Sequence, residues 1–418
     1  MTSAAPADYE PCGLDPEDAP LEAIEDPSGA VVAADHPHKG PQKGFAGFLD
    51  VVAGNPFLSA FLVVIPFGFL THFLGMQRWL VFLCNFFAIL PMAWLIGKST
   101  EDLATYTGEA AGGMLNATFG NVVEMLLCVA GIRQNQISVV QCTLIGSILS
   151  NMLLVMGTSF LWGGYNLAPS SKMQYSKVGA SAQSTLMLLA VLGITLPTVY
   201  SMLMPGQQEI LDISRGCSSL LIVVYFQFLV FQLKTHKADF EGEEDGGDDE
   251  YPDMTAWTSV VVLATCTVLT AFCSEYLIDA IEGTIEAWHV SKEFIGIIIL
   301  PIIGNAAEHY TAIVVAGQNK MDLSLGVAVG SSCQMALMVT PFTVLAGWAL
   351  DKPMSLNFHP FQVTVLFMAV LIVANILRDG ESNWLEGSML VTAYSAIALI
   401  YYFETSSGNL AAGGLAAA

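Results

Sequence analysis

Gly120-Asn121-Val122-Val123-Glu124 and Gly304-Asn305-Ala306-Ala307-Glu308 decide how this chain is read. Each stretch sets one carboxylate inside a run of apolar residues. A shift of 184 residues aligns the two segments without a gap. Gly120, Asn121, Glu124, Gln134, Asn135, Gly146, Ser147, Leu153, Val155, Leu161 and Gly163 then meet identical residues, 11 identities over 45 aligned positions. Asn121, Glu124, Gln134, Asn135 and Ser147 are the polar residues among them, so the two segments are an internal repeat. A carboxylate within a membrane helix costs at least ~2.5 kcal/mol and marks a functional site.

The surrounding sequence supplies the membrane. Charged residues make up only 12% of the chain and hydrophobic residues 54%. A soluble domain carries about twice that share of charge. The mean hydropathy is +0.59, and the apolar residues come in blocks of the length that spans hydrocarbon. Eleven spans are expected, at residues 55–74, 77–98, 113–132, 138–162, 180–203, 210–234, 255–283, 293–317, 321–348, 359–378 and 384–403. Pro91, Pro197, Pro301 and Pro341 fall inside spans. Such breaks are tolerated where freed backbone lines a cavity or is buried in protein.

The third span carries Glu124 and the eighth Glu308, so spans 2–6 correspond to spans 7–11. Five spans per repeat is an odd number, and the second repeat is inverted relative to the first. The fold class is an all-α polytopic membrane protein of about 11 transmembrane helices, one extra N-terminal helix plus two inverted five-helix repeats. The expected segments are a disordered acidic cytoplasmic tail (1–54), the extra helix (55–74), the first repeat (77–235), an acidic cytoplasmic linker (236–254), the second repeat (255–403) and a C-terminal tail (404–418). With the amino terminus in the cytoplasm, that side holds Lys39, Lys43, Lys98, Lys172, Lys177, Lys234, Lys237, Lys320 and Arg378. The other side holds Arg78, Arg133, Arg215, Lys292 and Lys352. This bias orients the chain and puts the carboxyl terminus on the lumenal side.

The net charge is −23. Much of the acid lies in residues 8–35 and 239–253, and it argues against a nucleic-acid partner. Eight cysteines are scattered, mostly in apolar runs, with no C-x-x-C. They read as packing residues rather than a zinc or disulfide framework. The opening residues lack a basic start followed by an apolar run, so no signal peptide is expected. No G-x-x-x-x-G-K-[ST] loop is present to bind ATP.

Glu124 and Glu308 are hard oxygen ligands suited to Ca²⁺. Asn121 and Asn305, three residues earlier, share their helix face, and Gly120 and Gly304 admit close backbone approach. The next spans add Ser147, Ser150 and Asn151, then Ser331, Ser332 and Gln334. Two carboxylates facing each other in low dielectric cannot both stay bare. They hold a divalent cation or take up protons, which is an exchange cycle. His309, directly after Glu308, is placed to tune that carboxylate or pass a proton. Two acidic stripes flank this centre, one with Glu101 and the other with Glu275, Asp279 and Glu282. Both read as cation vestibules. The run 239–250 has no EF-hand spacing and reads as a charged linker.

Residues 112–124, ending in Phe119-Gly120-Asn121-Val122-Val123-Glu124, resemble the first signature of the CAX calcium/proton exchangers. Pro301-Ile302-Ile303-Gly304-Asn305-Ala306-Ala307-Glu308-His309 resembles the second. Gly146-Ser147-Ile148-Leu149-Ser150-Asn151 and Gly330-Ser331-Ser332-Cys333-Gln334 are similar to the paired downstream motifs of that family. The resemblance covers roughly residues 55–403 and is nearest in kind to fungal and plant vacuolar exchangers. It implies an eleven-helix cation/Ca²⁺ exchanger fold, a Ca²⁺ site around Glu124 and Glu308, and proton-driven loading of an acidic organelle. Ca²⁺ and H⁺ are then substrates, with no cofactor and no enzyme activity. It also implies a short acidic helix in the linker, which Gly242, Gly246 and Gly247 disfavour. The rival readings are a sodium-coupled calcium exchanger, a channel with acidic rings and an intramembrane hydrolase. The last uses aspartates where this chain has glutamates.

Overall fold

The computed structural model describes residues 44–167, 172–204, 209–236 and 252–415. The expected tail through residue 43 and the acidic run 239–250 lie outside the described residues. Helices α1 (Gly44–Gly54), α2 (Pro56–Phe61) and α3 (Val64–Phe73) precede the first repeat. That repeat holds α4 (Arg78–Thr107), α5 (Glu109–Phe119), α6 (Val122–Arg133), α7 (Ile137–Asn166), α8 (Lys177–Leu203) and α9 (Ile210–Thr235). The second holds α10 (Ala256–Asp279), α11 (Ile281–Trp288), α12 (Lys292–Gly304), α13 (Ala306–Gly317), α14 (Met321–Ala349), α15 (Pro360–Leu377) and α16 (Trp384–Leu415). Among the described residues, eight helices are long and apolar enough to cross a membrane, and up to eleven spans result when each bent pair is one span.

Two boundaries depart from the sequence reading. Residues 44–54 are helical rather than part of a disordered tail. Phe48, Val51 and Val52 supply an apolar stripe that packs on the core beside α4 and α10. Helix α4 runs past the expected end at residue 98 to Thr107. Its extension is held by Asp102, which is buried, lies 3.4 Å from Lys98 and accepts the Met254 N–H at 3.0 Å. Asp253 pairs with the same lysine at 2.8 Å. The end of the linker is thereby tied to the first repeat.

The repeat survives in detail. Helix α6 ends at Gln134 and α13 at Gln318, and the next residues, Asn135 and Asn319, are left-handed at φ 60° and 63°. Asn135 N–H donates to Ile132 O and Gln136 N–H to Gly131 O; Asn319 and Lys320 repeat this with Ala316 and Val315. A short polar residue is needed at these left-handed positions, which explains the Gln-Asn identities. Both following helices contain a π turn at matching places, Ser150–Val155 in α7 and Met335–Val339 in α14. These repeat-equivalent helices are also the most enclosed spans, 89% and 72% buried over their apolar windows.

Helices without a hydrophobic drive between them associate through close packing of small residues. A β-carbon on Gly146 of α7 would lie 2.4 Å from Ile297 O of α12, and one on Gly296 of α12 would lie 2.5 Å from Cys142 Cβ of α7. Helix α7 meets α16 similarly: a β-carbon on Gly387 would lie 2.6 Å from Gly157 O. A two-residue ladder of Met173–Gln174 with Glu381–Ser382 joins the loops after α7 and α15. The first repeat therefore meets the second in close backbone contact.

Gly146→Val should destabilise the protein by at least ~2 kcal/mol, since the obstacle is backbone rather than a mobile side chain. Thermal unfolding in detergent measures it. Gly216→Ala, where a β-carbon meets nothing within 4 Å, should leave the midpoint unchanged. A wild-type midpoint for Gly146→Val would refute the close crossing.

Candidate functional site

Both glutamates enter the structure in the same way. Asn121 interrupts α5 and α6, which meet at a 45° bend, and Asn305 interrupts α12 and α13. Each asparagine is the N-cap of the following half-helix, with φ, ψ of −106°, 15° and −90°, 6°. Glu124 and Glu308 stand three residues on, in the first helical turn. Unpaired N–H groups and the helix dipole at such an end favour a carboxylate.

Neither asparagine caps its own helix with its side chain. Each reaches the other repeat instead. Asn121 Nδ2 donates to Gln334 Oε1 at 2.5 Å and to Ala117 O at 3.3 Å, and Asn305 Nδ2 donates to Ser147 O at 3.3 Å. Glu308 Oε2 accepts from Ser331 Oγ at 2.7 Å and from Asn151 Nδ2 at 3.1 Å, and Asn151 also donates to Ser331 Oγ at 2.9 Å. His309 Nδ1 lies 3.0 Å from Asn305 O, and its Nε2 lies 3.5 Å from Ser150 Oγ. Glu124 rests on the opposite break: a β-carbon at Gly304 would be 2.5 Å from its Oε1. Gly120 faces its own helix, toward Asn116 O.

Ten residues expected at the centre thus fall into two sorts. Glu124, Glu308, Asn121, Asn305, Ser331, Gln334, Ser150 and Gly304 touch a partner across the repeats, and Ser147 does so through its carbonyl. Gly120 makes no such contact. Asn151 bridges Glu308 and Ser331 and is as central as either serine; its adjacency to the Gly-Ser motif was its sequence signal. Glu124 Oε2, Asn305 Oδ1, Asn151 Oδ1 and Ser147 Oγ are buried without a hydrogen-bond partner among the described residues. Buried oxygens are ordinarily satisfied. Two carboxylates and these amide and hydroxyl oxygens form a hard-donor set of the kind a Ca²⁺-sized ion takes. Glu124 is fully buried, whereas Glu308, His309 and Gln334 are only half-buried.

On the stripe of Glu275, Asp279 and Glu282 each acid has a basic partner. Glu275 lies 3.5 Å from Arg133, Asp279 pairs with Arg78, and Glu282 lies 3.4 Å from Lys292 while accepting from Gln136 at 2.9 Å. The three cations cancel the field that one-signed charge would produce. Glu101 is exposed on α4, while its neighbour Asp102 is buried with Lys98. The i, i+4 spacing of Lys98 and Asp102 was the sequence signal for that pair.

Gly304→Ala should push the Glu124 carboxylate out of place and weaken divalent-cation binding about 10- to 100-fold. Calorimetric titration of the purified protein reads it, with Gly216→Ala as the neutral control. Undiminished affinity would show that Glu124 does not depend on the bare Gly304 backbone.

Comparison with known proteins supplies the kinship. The family model described as sodium/calcium exchanger protein matches residues 78–234 and 258–403. The chain is 41% identical over 368 residues to vacuolar cation/proton exchanger 5 of Arabidopsis thaliana, covering 85% of this chain and 82% of that protein. It is 40% identical over 366 residues to the Ca²⁺/H⁺ antiporter of Aphanothece halophytica, covering 84% and 97%. Among solved structures, the selenium-substituted Ca²⁺/H⁺ antiporter YfkE superposes with a TM-score of 0.71 at 30% identity, covering 84% and 100%. An H⁺/Ca²⁺ exchanger CAX structure shares the fold, with a TM-score of 0.66 at 14% identity. The two inverted five-helix repeats with one added helix are thus the fold of a known transporter class, and the chain belongs to the sodium/calcium exchanger family and, within it, to the CAX group of cation/proton exchangers.

Proposed function

We propose that this protein is a secondary transporter that exchanges Ca²⁺ for protons by alternating access at a site shared by Glu124 and Glu308. The observation that carries the reading is the placement of these repeat-equivalent carboxylates at two broken-helix N-termini, each set against the opposite repeat, Glu308 at the Asn151 amide and Glu124 at Gly304. Two uncompensated carboxylates in a dry cavity would cost several kcal/mol each. The site therefore crosses either with a divalent cation or with protons, and that alternation couples the two fluxes. The donor set is hard and admits Mn²⁺ as well as Ca²⁺.

Burial supports an accessibility switch. Around the site, α6 and α12 are largely buried, whereas α5 and α13 expose Asn116, Thr118, Gly120, Tyr310 and Thr311. By the inverted topology, α5 and α13 lie on one side of the site and α6 and α12 on the other. The conformation is then the one open toward the side of Lys98 and Lys320. Rocking the repeats across the glycine crossings would close this side and open the other. Relatives named as vacuolar exchangers support an acidic endomembrane as the location, with the amino terminus cytoplasmic and the carboxyl terminus lumenal. Coupling to sodium is the second reading, since the family description spans sodium-driven members. A pH gradient that drives uptake with no response to sodium separates them.

Glu124→Gln and Glu308→Gln should each abolish ⁴⁵Ca²⁺ uptake into proteoliposomes under a pH gradient while the protein still inserts. Substantial transport by either variant would sink the shared-carboxylate reading. Protons should also compete with the cation. Acidifying the Ca²⁺-binding side below the titration range of the pair should raise the apparent KM for Ca²⁺, by roughly tenfold per pH unit for each competing proton. Alkalinisation should lower it to a plateau. Initial rates at fixed proton driving force test this, and an affinity independent of pH would favour sodium coupling or a channel. His309→Ala should shift the profile if the imidazole tunes Glu308.

A further inference from the structure

We propose that Asp322, Gln183 and Gln232 form a second, weaker cation station, which takes a partly hydrated divalent cation on its way to Glu308. The inference rests on the exchange reading above and extends it to the route of entry. Asp322 lies in the first turn of α14, and residues 322, 326, 330 and 334 recur at steps of four along one helix face. Two of these are glycines. A β-carbon on Gly326 would meet nothing within 4 Å, and one on Gly330 would meet only Gln183 Nε2, at 3.7 Å. The face is therefore a glycine track from Asp322 toward Gln334, bordered at Gly330 by Gln183, and the Gln334 amide already joins Asn121. Ser331, next to Gly330, touches Glu308.

A cavity of about 50 Å³ opens on this track, lined by Asp322, Gly326, Gln183, Gln232 and Ser176 among others. That volume accommodates an ion with a water or two. Gln183 is 5% exposed, and its side-chain amide has no hydrogen-bond partner among the described residues, although its backbone carbonyl accepts from Cys333 Sγ. A buried amide is ordinarily bonded; here it borders a cavity that also holds a carboxylate. Asp322 Oδ1 accepts the Ser176 N–H at 2.5 Å, and Oδ2 has no partner among the described residues. One carboxylate oxygen, two amide oxygens and waters are a hard-oxygen set with a single negative charge. Affinity for Ca²⁺ follows the count of charged ligands, so this set binds less tightly than the two-glutamate centre. The repeat-equivalent of Asp322 is Ser138, so the opposite face has no counterpart carboxylate there. The station serves loading from one side only.

The test uses the full-length protein in sealed vesicles with the Lys320 face outward, reading initial rates of pH-driven ⁴⁵Ca²⁺ uptake across a Ca²⁺ series. Asp322→Asn keeps an acceptor for the Ser176 N–H and removes the charge, and Gln183→Met keeps the volume and removes the amide. Each should raise the apparent KM from the Lys320 face at least about threefold, through loss of one oxygen or one charge. The maximal rate and the KM from the opposite face should not change. An unchanged KM in both variants, or a fall in maximal rate with KM unchanged, would overturn the station and leave only a structural cap. If Asp322→Asn fails to accumulate, Gln183→Met decides by the same measurement. Wild-type protein that carries no Ca²⁺ would bring down the exchange reading and this one with it; wild-type transport with unaltered variants would bring down this one alone.

Discussion

Two carboxylates set between the halves of a membrane protein, Glu124 fully and Glu308 half buried, are the constraint on which the rest of the structure depends. Hydrocarbon offers no solvation, so the protein supplies what water would have given. Each glutamate stands at the start of a half-helix, where the dipole and unpaired N–H groups are favourable. Starting a half-helix in mid-membrane requires a break, and a break frees backbone groups that only a packed neighbour can accommodate. The Gly-Asn stretches answer both demands: Gly304 admits Glu124, and each asparagine amide ties its break to the other repeat through Gln334 and the Ser147 carbonyl. The site and the interface between repeats are one construction.

That construction sets how closely the helices pack. Helix α7 meets α12 and α16 at glycines, where no side chain intervenes. Its π turn and that of α14 begin within a residue of Ser150 and Gln334, turning those positions toward the centre. In the exchange cycle proposed above, repeats joined by glycine contacts would rock as rigid bodies, because few side chains must repack. The geometry that holds the carboxylates is also suited to changing their access.

Charge elsewhere is managed by pairing. Glu275, Asp279 and Glu282 each have a cation within reach, so the helix ends carry little net field. Exposed pairs of this kind contribute little to stability. The buried Asp102 is different, since Lys98 and the Met254 N–H engage it and the second repeat begins from that clamp.

Much of this was legible in the sequence. Hydropathy blocks marked the spans, because only helices satisfy their own backbone in lipid. The 184-residue repeat marked the inversion and the two glutamates, because duplicated polar residues in apolar segments are costly unless used. The Gln134-Asn135 and Gln318-Asn319 identities carried their reason in the residues themselves, since a left-handed helix end wants a short polar side chain. Residues 44–54 were misread because a short apolar helix needs a neighbour to be stable, and its neighbours lie on α4 and α10. The cations beside Glu275, Asp279 and Glu282 were not legible, because one-dimensional spacing shows acids sharing a stripe but not the arginines and lysine that other helices bring to it. Which oxygens face Glu308, the pressing of Glu124 onto Gly304 and the bridge made by Asn151 were decided by tertiary structure alone. The sequence by itself determined which residues are too expensive to bury without a purpose. Only the packing of one repeat into the other decided which of them share a site, because those contacts join residues some 150 to 210 positions apart whose distance no local pattern records.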